Sequence, residues 1–220
     1  MQCVIVAGGK AERMGLSGQR MPKCLMKTRC LGIDEKPILQ HVIEFWRTQG
    51  CDDFIVISSK AYHKKIEEFM DYCDSSWRVV SPEKDTIPEA LAAMAPYVHA
   101  RGREKFVVAL GDCLFDGRFT QGLKEYDDAA IGTMQSDCDF GRSYAVEVGS
   151  MNVAHSTIEK PHMGLGCYWF NFSVFDHFAY CRGITEVIQR IMDTSGIVSA
   201  IPFEGNYLNA TYPSDLDRWA

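Results

Sequence analysis

The nine cysteines of this sequence include no C-x-x-C pair, and its six histidines include no H-E-x-x-H arrangement. Scattered cysteines fit neither a zinc site nor a secreted disulfide framework, so reduced and mostly buried thiols are expected. A metal centre built from histidines is not expected either. No apolar run approaches the roughly 18 residues a membrane-crossing helix needs, and the N-terminus lacks a basic segment leading into an apolar one. Positive charge is not in excess: 23 Lys and Arg stand against 29 Asp and Glu, a formal net charge of -6. This balance argues against a broad nucleic-acid or anionic-membrane face, while leaving room for a local basic pocket. Linkers, low-complexity stretches and internal repeats are missing as well. A soluble cytoplasmic chain with no nucleic-acid or membrane partner is the expectation.

What is present starts with Cys3–Val4–Ile5–Val6, an apolar run that reads as a strand buried on both faces, as parallel strands are. Ala7–Gly8–Gly9 ends it abruptly, and two residues without Cβ let the backbone turn and approach a ligand. Lys10, Arg13 and Lys23 can bring positive charge to the same crevice. Amide N–H groups, a guanidinium and an ammonium together make a phosphate site. Two familiar phosphate loops fail on spacing. The glycines are adjacent, which breaks G-x-G-x-x-G, and no Lys–Ser or Lys–Thr follows Gly15, which breaks G-x-x-x-x-G-K-[ST].

The next stretch alternates. Cys24–Leu25–Met26–Lys27 reads as a short extended piece, and Pro37 opens a helix with Leu39, Val42, Ile43 and Trp46 on one face and Gly50 closing it. Phe54–Ile57, Trp77–Val80 and Phe106–Leu110 read as further strands. Between them lie a helix carrying Tyr62, Ile66, Phe69 and Met70, and one opened by a Thr86–Glu89 capping box and continued by Ala90, Leu91 and Met94. Strand and helix in alternation imply a parallel sheet with crossover helices. Later strands, Ala129–Gly132, Tyr144–Val148 and Gly166–Phe172, have no helix between them, so antiparallel members are expected. A helix carrying Ile184, Val187, Ile188 and Ile191 and a short helix over Pro213–Trp219 complete the chain. The predicted fold is α/β: a Rossmann-like mixed, mostly parallel sheet flanked by helices in three layers.

Leu110–Gly111–Asp112 stands at the carboxyl end of a fully apolar strand, the edge where ligands lie in open α/β sheets. A carboxylate there suits Mg²⁺, which takes one or two carboxylates plus phosphates. Asp137–Cys138–Asp139 has the spacing of a metal-binding Asp-x-Asp pair but reads as a solvated turn.

Ala7–Gly8–Gly9 through Arg13–Met14, then Pro22–Lys23, Gly111–Asp112 and Glu159–Lys160–Pro161, in that order, resemble the nucleotidyltransferases that activate sugar 1-phosphates. The Arg13–Met14–Gly15 ending also resembles the guanylyltransferases of the molybdenum cofactor and the cytidylyltransferases of isoprenoid synthesis, which share the fold. The resemblance implies the nucleotide-diphospho-sugar transferase fold in a single domain over 1–220. Its nucleotide part would occupy about 1–115 and its acceptor part about 116–220. It implies nucleotide contacts from Ala7, Gly8, Gly9, Lys10, Arg13, Lys23, Pro82 and Gly111, with Arg13, Lys23 and Asp112 as the catalytic group. Mg²⁺ on Asp112 and an acceptor phosphate on Lys160, beside Glu159, follow in the same way. The partners implied are an NTP and a sugar 1-phosphate. Two departures stand out. Thr86–Ile87–Pro88–Glu89 replaces the small residues common before the third helix, and Asn209 occupies the position of a second metal-binding aspartate. An amide offers Mg²⁺ an oxygen but no charge, so Asn209 is expected near the metal as a weaker ligand. That departure keeps a non-catalytic nucleotide-sugar-binding subunit open, and a non-sugar phosphate or phosphonate acceptor, or a molybdopterin-type one, remains open beside a sugar.

Overall fold

The computed structural model describes residues 1–8, 21–30, 34–73, 76–99, 104–120, 128–135, 145–146, 153–154 and 162–216. Its first elements are β1 (Gln2–Val6), a 3-10 turn (Lys23–Leu25), β2 (Lys27–Cys30), β3 (Asp34–Pro37), α1 (Ile38–Thr48) and β4 (Asp53–Ile57). Next come α2 (His63–Met70), β5 (Ser76–Val80), α3 (Ile87–Ala92), β6 (Lys105–Leu110), β7 (Cys113–Phe119) and β8 (Ala129–Gln135). The chain continues through β9 (Ala145–Val146), β10 (Val153–Ala154), β11 (His162–Asn171), α4 (Phe175–Phe178), α5 (Ile184–Asp193), β12 (Val198–Asn209) and α6 (Pro213–Leu216).

These elements group into two compact units. The described residues of Met1–Glu83, Ala109–Asp116 and Asn206–Ala220 form the first, and those of Lys84–Val108 and Gly117–Gly205 form the second.

In the first unit β1, β4 and β5 are parallel, with Cys3 opposite Phe54 and Phe54 opposite Trp77. Cys3, Val4 and Ile5 are fully buried, as are the residues of Phe54–Ile57 to within a few per cent, because both faces of these strands are covered. α1 buries Ile38, Leu39, Val42, Ile43, Phe45 and Trp46. It ends at Thr48, and two residues on Gly50 takes a φ of +84° that a side chain would resist. The Phe45 ring stacks on Phe115 at 4.8 Å, and Trp46 meets the same ring edge-on at 6.2 Å. α2 turns Ile66 and Met70 into the core.

Cys24–Lys27, expected to be extended, instead begins as a 3-10 turn. The Pro22 carbonyl accepts from Leu25 N–H at 2.9 Å and the Lys23 carbonyl from Met26 N–H at 3.0 Å. The extended backbone of Pro22, with φ of -60° and no N–H, starts that turn without losing a donor. Strand pairing begins only at Lys27, where β2 forms an antiparallel hairpin with β3.

In the second unit β11 runs antiparallel to β8, with His162 opposite Gln135 and Trp169 opposite Ala130. β9 pairs antiparallel with both β10 and β11, and β12 pairs parallel with β8. This is the mixed half the sequence predicts. The aromatic run of β11 serves packing: Phe170 lies 5.9 Å from both Tyr168 and Phe178, and Phe106 stacks on Phe175 at 5.6 Å. α5 buries Val187, Ile188 and Ile191. The Thr86–Glu89 capping box forms as expected, with the Thr86 hydroxyl accepting from Glu89 N–H at 3.3 Å.

β7 and β12 have no counterpart in the sequence expectation. Both continue through polar and glycine positions, Asp116–Gly117–Arg118 and Glu204–Gly205–Asn206, that lack the apolar alternation of a strand. Cross-strand polar contacts replace apolar alternation there. Asn206 donates to Asp116 at 3.3 Å in the first unit, and Arg118 pairs with Glu204 at 3.8 Å in the second. Among the described residues no helix is long and apolar enough to cross a membrane. Cys3, Cys24, Cys51, Cys73, Cys113, Cys167 and Cys181 are free thiols, all but Cys73 buried.

Candidate active site

The site is assembled at the carboxyl edge of the first unit. Each residue following a strand continues the ladder to its neighbour. Gly111 N–H donates to Val6 O at 2.9 Å, Ala7 N–H to Ile57 O at 2.8 Å, and Ser58 N–H to Val80 O at 2.9 Å. Gly111, Ala7 and Ser58 therefore share one edge, where a parallel sheet presents its ligands. A Cβ on Gly111 would stand 3.0 Å from Val6 O and 3.2 Å from both Cα and Cβ of Ala7. Glycine lets the turn after β6 press closely against the end of β1, and Asp112 follows directly in that turn. Gly8 is tight in the same way: its Cβ would lie 3.3 Å from Ser58 C and 3.4 Å from Ser59 N.

Onto this edge the 3-10 turn delivers Lys23, whose ammonium forms an ion pair with the Asp112 carboxylate. The two side chains are 20% and 24% exposed, so solvent screens the pair only in part. Next to Lys23, the Cys24 thiol is pushed up to about 12, chiefly by burial, against the opposing pull of the neighbouring ammonium.

The main chain of Asp112 is fixed from the other side, where its carbonyl accepts from Ala210 N–H at 2.8 Å. Asn209, the last residue of β12, is thereby held at the Asp112 end of the edge. The turn that follows is pinned by Asp215, only 1% exposed, whose carboxylate accepts from Thr211 N–H at 2.9 Å and Tyr212 N–H at 2.7 Å. The Thr211 hydroxyl in turn donates to Asn209 Oδ1 at 3.0 Å. Thr28 of β2 anchors α6 by donating its hydroxyl to Leu216 O at 2.9 Å.

A second polar group lies at the ends of β4 and β5. Ser58 and Ser81 share a hydrogen bond of 2.6 Å, His63 Nδ1 lies 2.8 Å from the Ser81 hydroxyl, and His63 Nε2 is 3.2 Å from Glu67. Lys60, His63, Lys64, Ser81 and Glu83 line a pocket of about 530 Å³, in the range of small-molecule sites. Pro82 sits between two of these residues in sequence.

Of the residues named from the sequence, Ala7, Gly8, Lys23, Gly111, Asp112 and Asn209 converge on this edge. Gly9, Lys10, Arg13, Glu159 and Lys160 lie outside the described residues, as does Asp137–Cys138–Asp139. Among the described residues no three His, Cys, Asp or Glu side chains are grouped as metal ligands. The sequence reading misses Thr211 and Asp215, which act on neighbouring backbone. It also misses the Ser58–Ser81–His63 group, whose one available signal is polar residues directly after two apolar strands.

Residues 3–142 match the family model described as the MobA-like NTP transferase domain. A UTP–glucose-1-phosphate uridylyltransferase, AglF, of Haloferax volcanii is 26% identical over 99% of this chain and 94% of its own length. A bifunctional sugar-1-phosphate nucleotidylyltransferase/acetyltransferase of Sulfurisphaera tokodaii is 25% identical over the whole chain, which spans 55% of that relative. Among solved structures, the inositol-1-phosphate CTP transferase of T. maritima superposes with a TM-score of 0.79. The match covers 97% of this chain and 90% of that one at 16% identity, so it is the fold that is shared.

Proposed function

The chain belongs to the MobA-like NTP transferase domain family, and from that membership we propose that it transfers a nucleoside monophosphate from an NTP to a sugar 1-phosphate. Two relatives matched along the whole chain carry sugar-1-phosphate nucleotidyltransferase names, which supports that acceptor class. The observation that carries the reading is the Lys23–Asp112 pair on a glycine-lined carboxyl edge. A cationic donor and an anionic acceptor there answer the two needs of a magnesium–nucleotide substrate.

The residues fit a divalent cation. The Asp112 carboxylate already takes a cation, the Lys23 ammonium, and Mg²⁺ asks for one or two carboxylates when phosphates supply the rest. Asp112 would hold the ion; once bound, it would neutralise charge on the phosphates and the leaving pyrophosphate.

The chain's own residues do the positioning. Ala7, Gly8 and Gly9 offer backbone to the triphosphate, helped by Lys10 and Arg13, and Gly111 sets the turn that keeps Asp112 in reach. Lys23 holds the α-phosphate or the departing pyrophosphate. Lys160, beside Glu159, holds the acceptor phosphate. An acceptor phosphate oxygen forms a new bond to the α-phosphorus while the bond from that phosphorus to the β-phosphate oxygen breaks, releasing pyrophosphate. No protein nucleophile is required, because the acceptor phosphate is ionised near neutral pH. Rate enhancement then comes from orientation and charge neutralisation.

The test is pyrophosphate release from UTP, CTP, GTP, ATP and dTTP, each against a panel of sugar 1-phosphates. Inositol 1-phosphate and a phosphonate serve as non-sugar arms. One NTP–sugar pair is expected to dominate. Turnover confined to a non-sugar arm moves the acceptor class, and nucleotide binding without release under any combination overturns the enzyme reading.

A further inference from the structure

Asn209 ends β12 half-buried, at the Asp112 end of the edge, because the next residue hydrogen-bonds to the Asp112 carbonyl. Its Oδ1 is already engaged. A hydroxyl facing an amide oxygen can only donate to it, and the Thr211 hydroxyl does so at 3.0 Å. Thr211 is itself fixed, since its N–H is held by the buried Asp215 carboxylate at 2.9 Å and by the Asn209 carbonyl at 2.9 Å. The Asn209 Nδ2 group has no partner among the described residues. The amide is thus turned with its oxygen back toward its own turn and its two N–H donors unpartnered among the described residues. A free donor is served by an oxygen anion and repels a cation.

We infer that Asn209 holds a phosphate oxygen of the nucleotide through its Nδ2 donors, with Thr211 setting the orientation, and that it is not a metal ligand. The inference rests on the nucleotidyl-transfer reading, because that reading supplies the phosphate. It also accounts for an amide beside Asp112, where a second carboxylate would repel the triphosphate until metal arrived.

The experiment measures binding of inorganic tripolyphosphate, a probe without base or sugar, to the full chain in EDTA by calorimetry. It adds the half-saturating Mg²⁺ concentration for pyrophosphate release. Asn209→Ala is expected to weaken metal-free tripolyphosphate binding about 10-fold, the loss of one charge-assisted donor, while the Mg²⁺ midpoint stays within about 2-fold. Asn209→Asp, which keeps the side-chain shape, is expected to weaken it further by adding like charge. Thr211→Val is expected to fall between Asn209→Ala and wild type, and Thr211→Ser to bind as wild type does. Unchanged tripolyphosphate affinity in Asn209→Ala and Asn209→Asp, or a shifted Mg²⁺ midpoint in Asn209→Ala, overturns the inference alone. Absence of tripolyphosphate binding by the wild-type chain overturns the nucleotidyl-transfer reading and this inference with it.

Discussion

Lys23 and Asp112, 89 positions apart, meet as an ion pair at the edge where β1 and β6 end. The proposed reaction needs both charges, each for a different partner. Removing either therefore leaves its partner's charge exposed to the substrate without a counterpart. Asp112→Ala and Lys23→Ala are each expected to lower turnover by about 100-fold or more, as loss of one preorganised electrostatic group does. Because the pair is partly solvated, both variants should keep wild-type circular dichroism and melt within a few degrees of it. Pyrophosphate release near the wild-type rate in either variant would remove that residue from the reaction.

The same pair sets an order of events. While the ammonium occupies the carboxylate, a divalent cation arriving alone must compete with it, since two cations at one carboxylate repel each other. In the proposed reaction the nucleotide phosphates would relieve that competition by drawing Lys23 away. Lys23→Met is expected to bind Mn²⁺ several-fold more tightly than wild type when no nucleotide is present, as read by electron paramagnetic resonance. Equal affinities in the two proteins would show that Lys23 does not guard Asp112.

What is legible in the sequence follows from burial. β1, β4 and β6 have both faces covered, so each reads as an uninterrupted apolar run, and the turn glycines after β1 and β6 mark where the site begins. β7 and β12 are not legible, because Asp116–Gly117–Arg118 and Glu204–Gly205–Asn206 put polar residues and glycine where a strand pattern needs alternation. Lys23 and Asp112 carry chemistry at fixed places in motifs and are found that way. Thr211 and Asp215 leave no such trace. Asp215 caps the backbone N–H groups of Thr211 and Tyr212, and the residue directly before α6 is Tyr212, not the Ser or Thr that would announce a capping box.

Gly111 ties fold to site through a contact of backbone on backbone. An alanine there would place its Cβ 3.0 Å from Val6 O and 3.2 Å from Ala7 Cα, backbone atoms held in the ladder at the end of β1 that would have to give by a few tenths of an ångström. Any shift of the turn to relieve the contact moves Asp112, which follows directly in it. Gly111→Ala is expected to cost about 1–3 kcal/mol in urea unfolding, the usual range for overpacking. Turnover should fall more than stability alone would explain, measured well below the midpoint. A variant as stable and as active as wild type would mean that this turn does not position the carboxylate.

Cys24 gives the protein an alkaline limit. Burial raises the folded thiol from 9.0 to about 12, while in the unfolded chain it ionises near its ordinary value. Below pH 9 both states hold the proton and the thiol's full contribution to stability is present. As pH rises from about 9 toward 12 the unfolded chain loses the proton and the folded chain keeps it, so stability falls. One such group contributes at most about 1.4 kcal/mol per pH unit. Cys167, also raised by burial, acts in the same direction, so removing Cys24 should reduce the slope without abolishing it. Urea midpoints measured from pH 8 to 10.5 are expected to decline less steeply in Cys24→Ala than in wild type, the difference vanishing below pH 8.5. Parallel declines in the two proteins would mean that Cys24 ionises as readily in the fold as out of it, and that the turn carrying Lys23 is open to water.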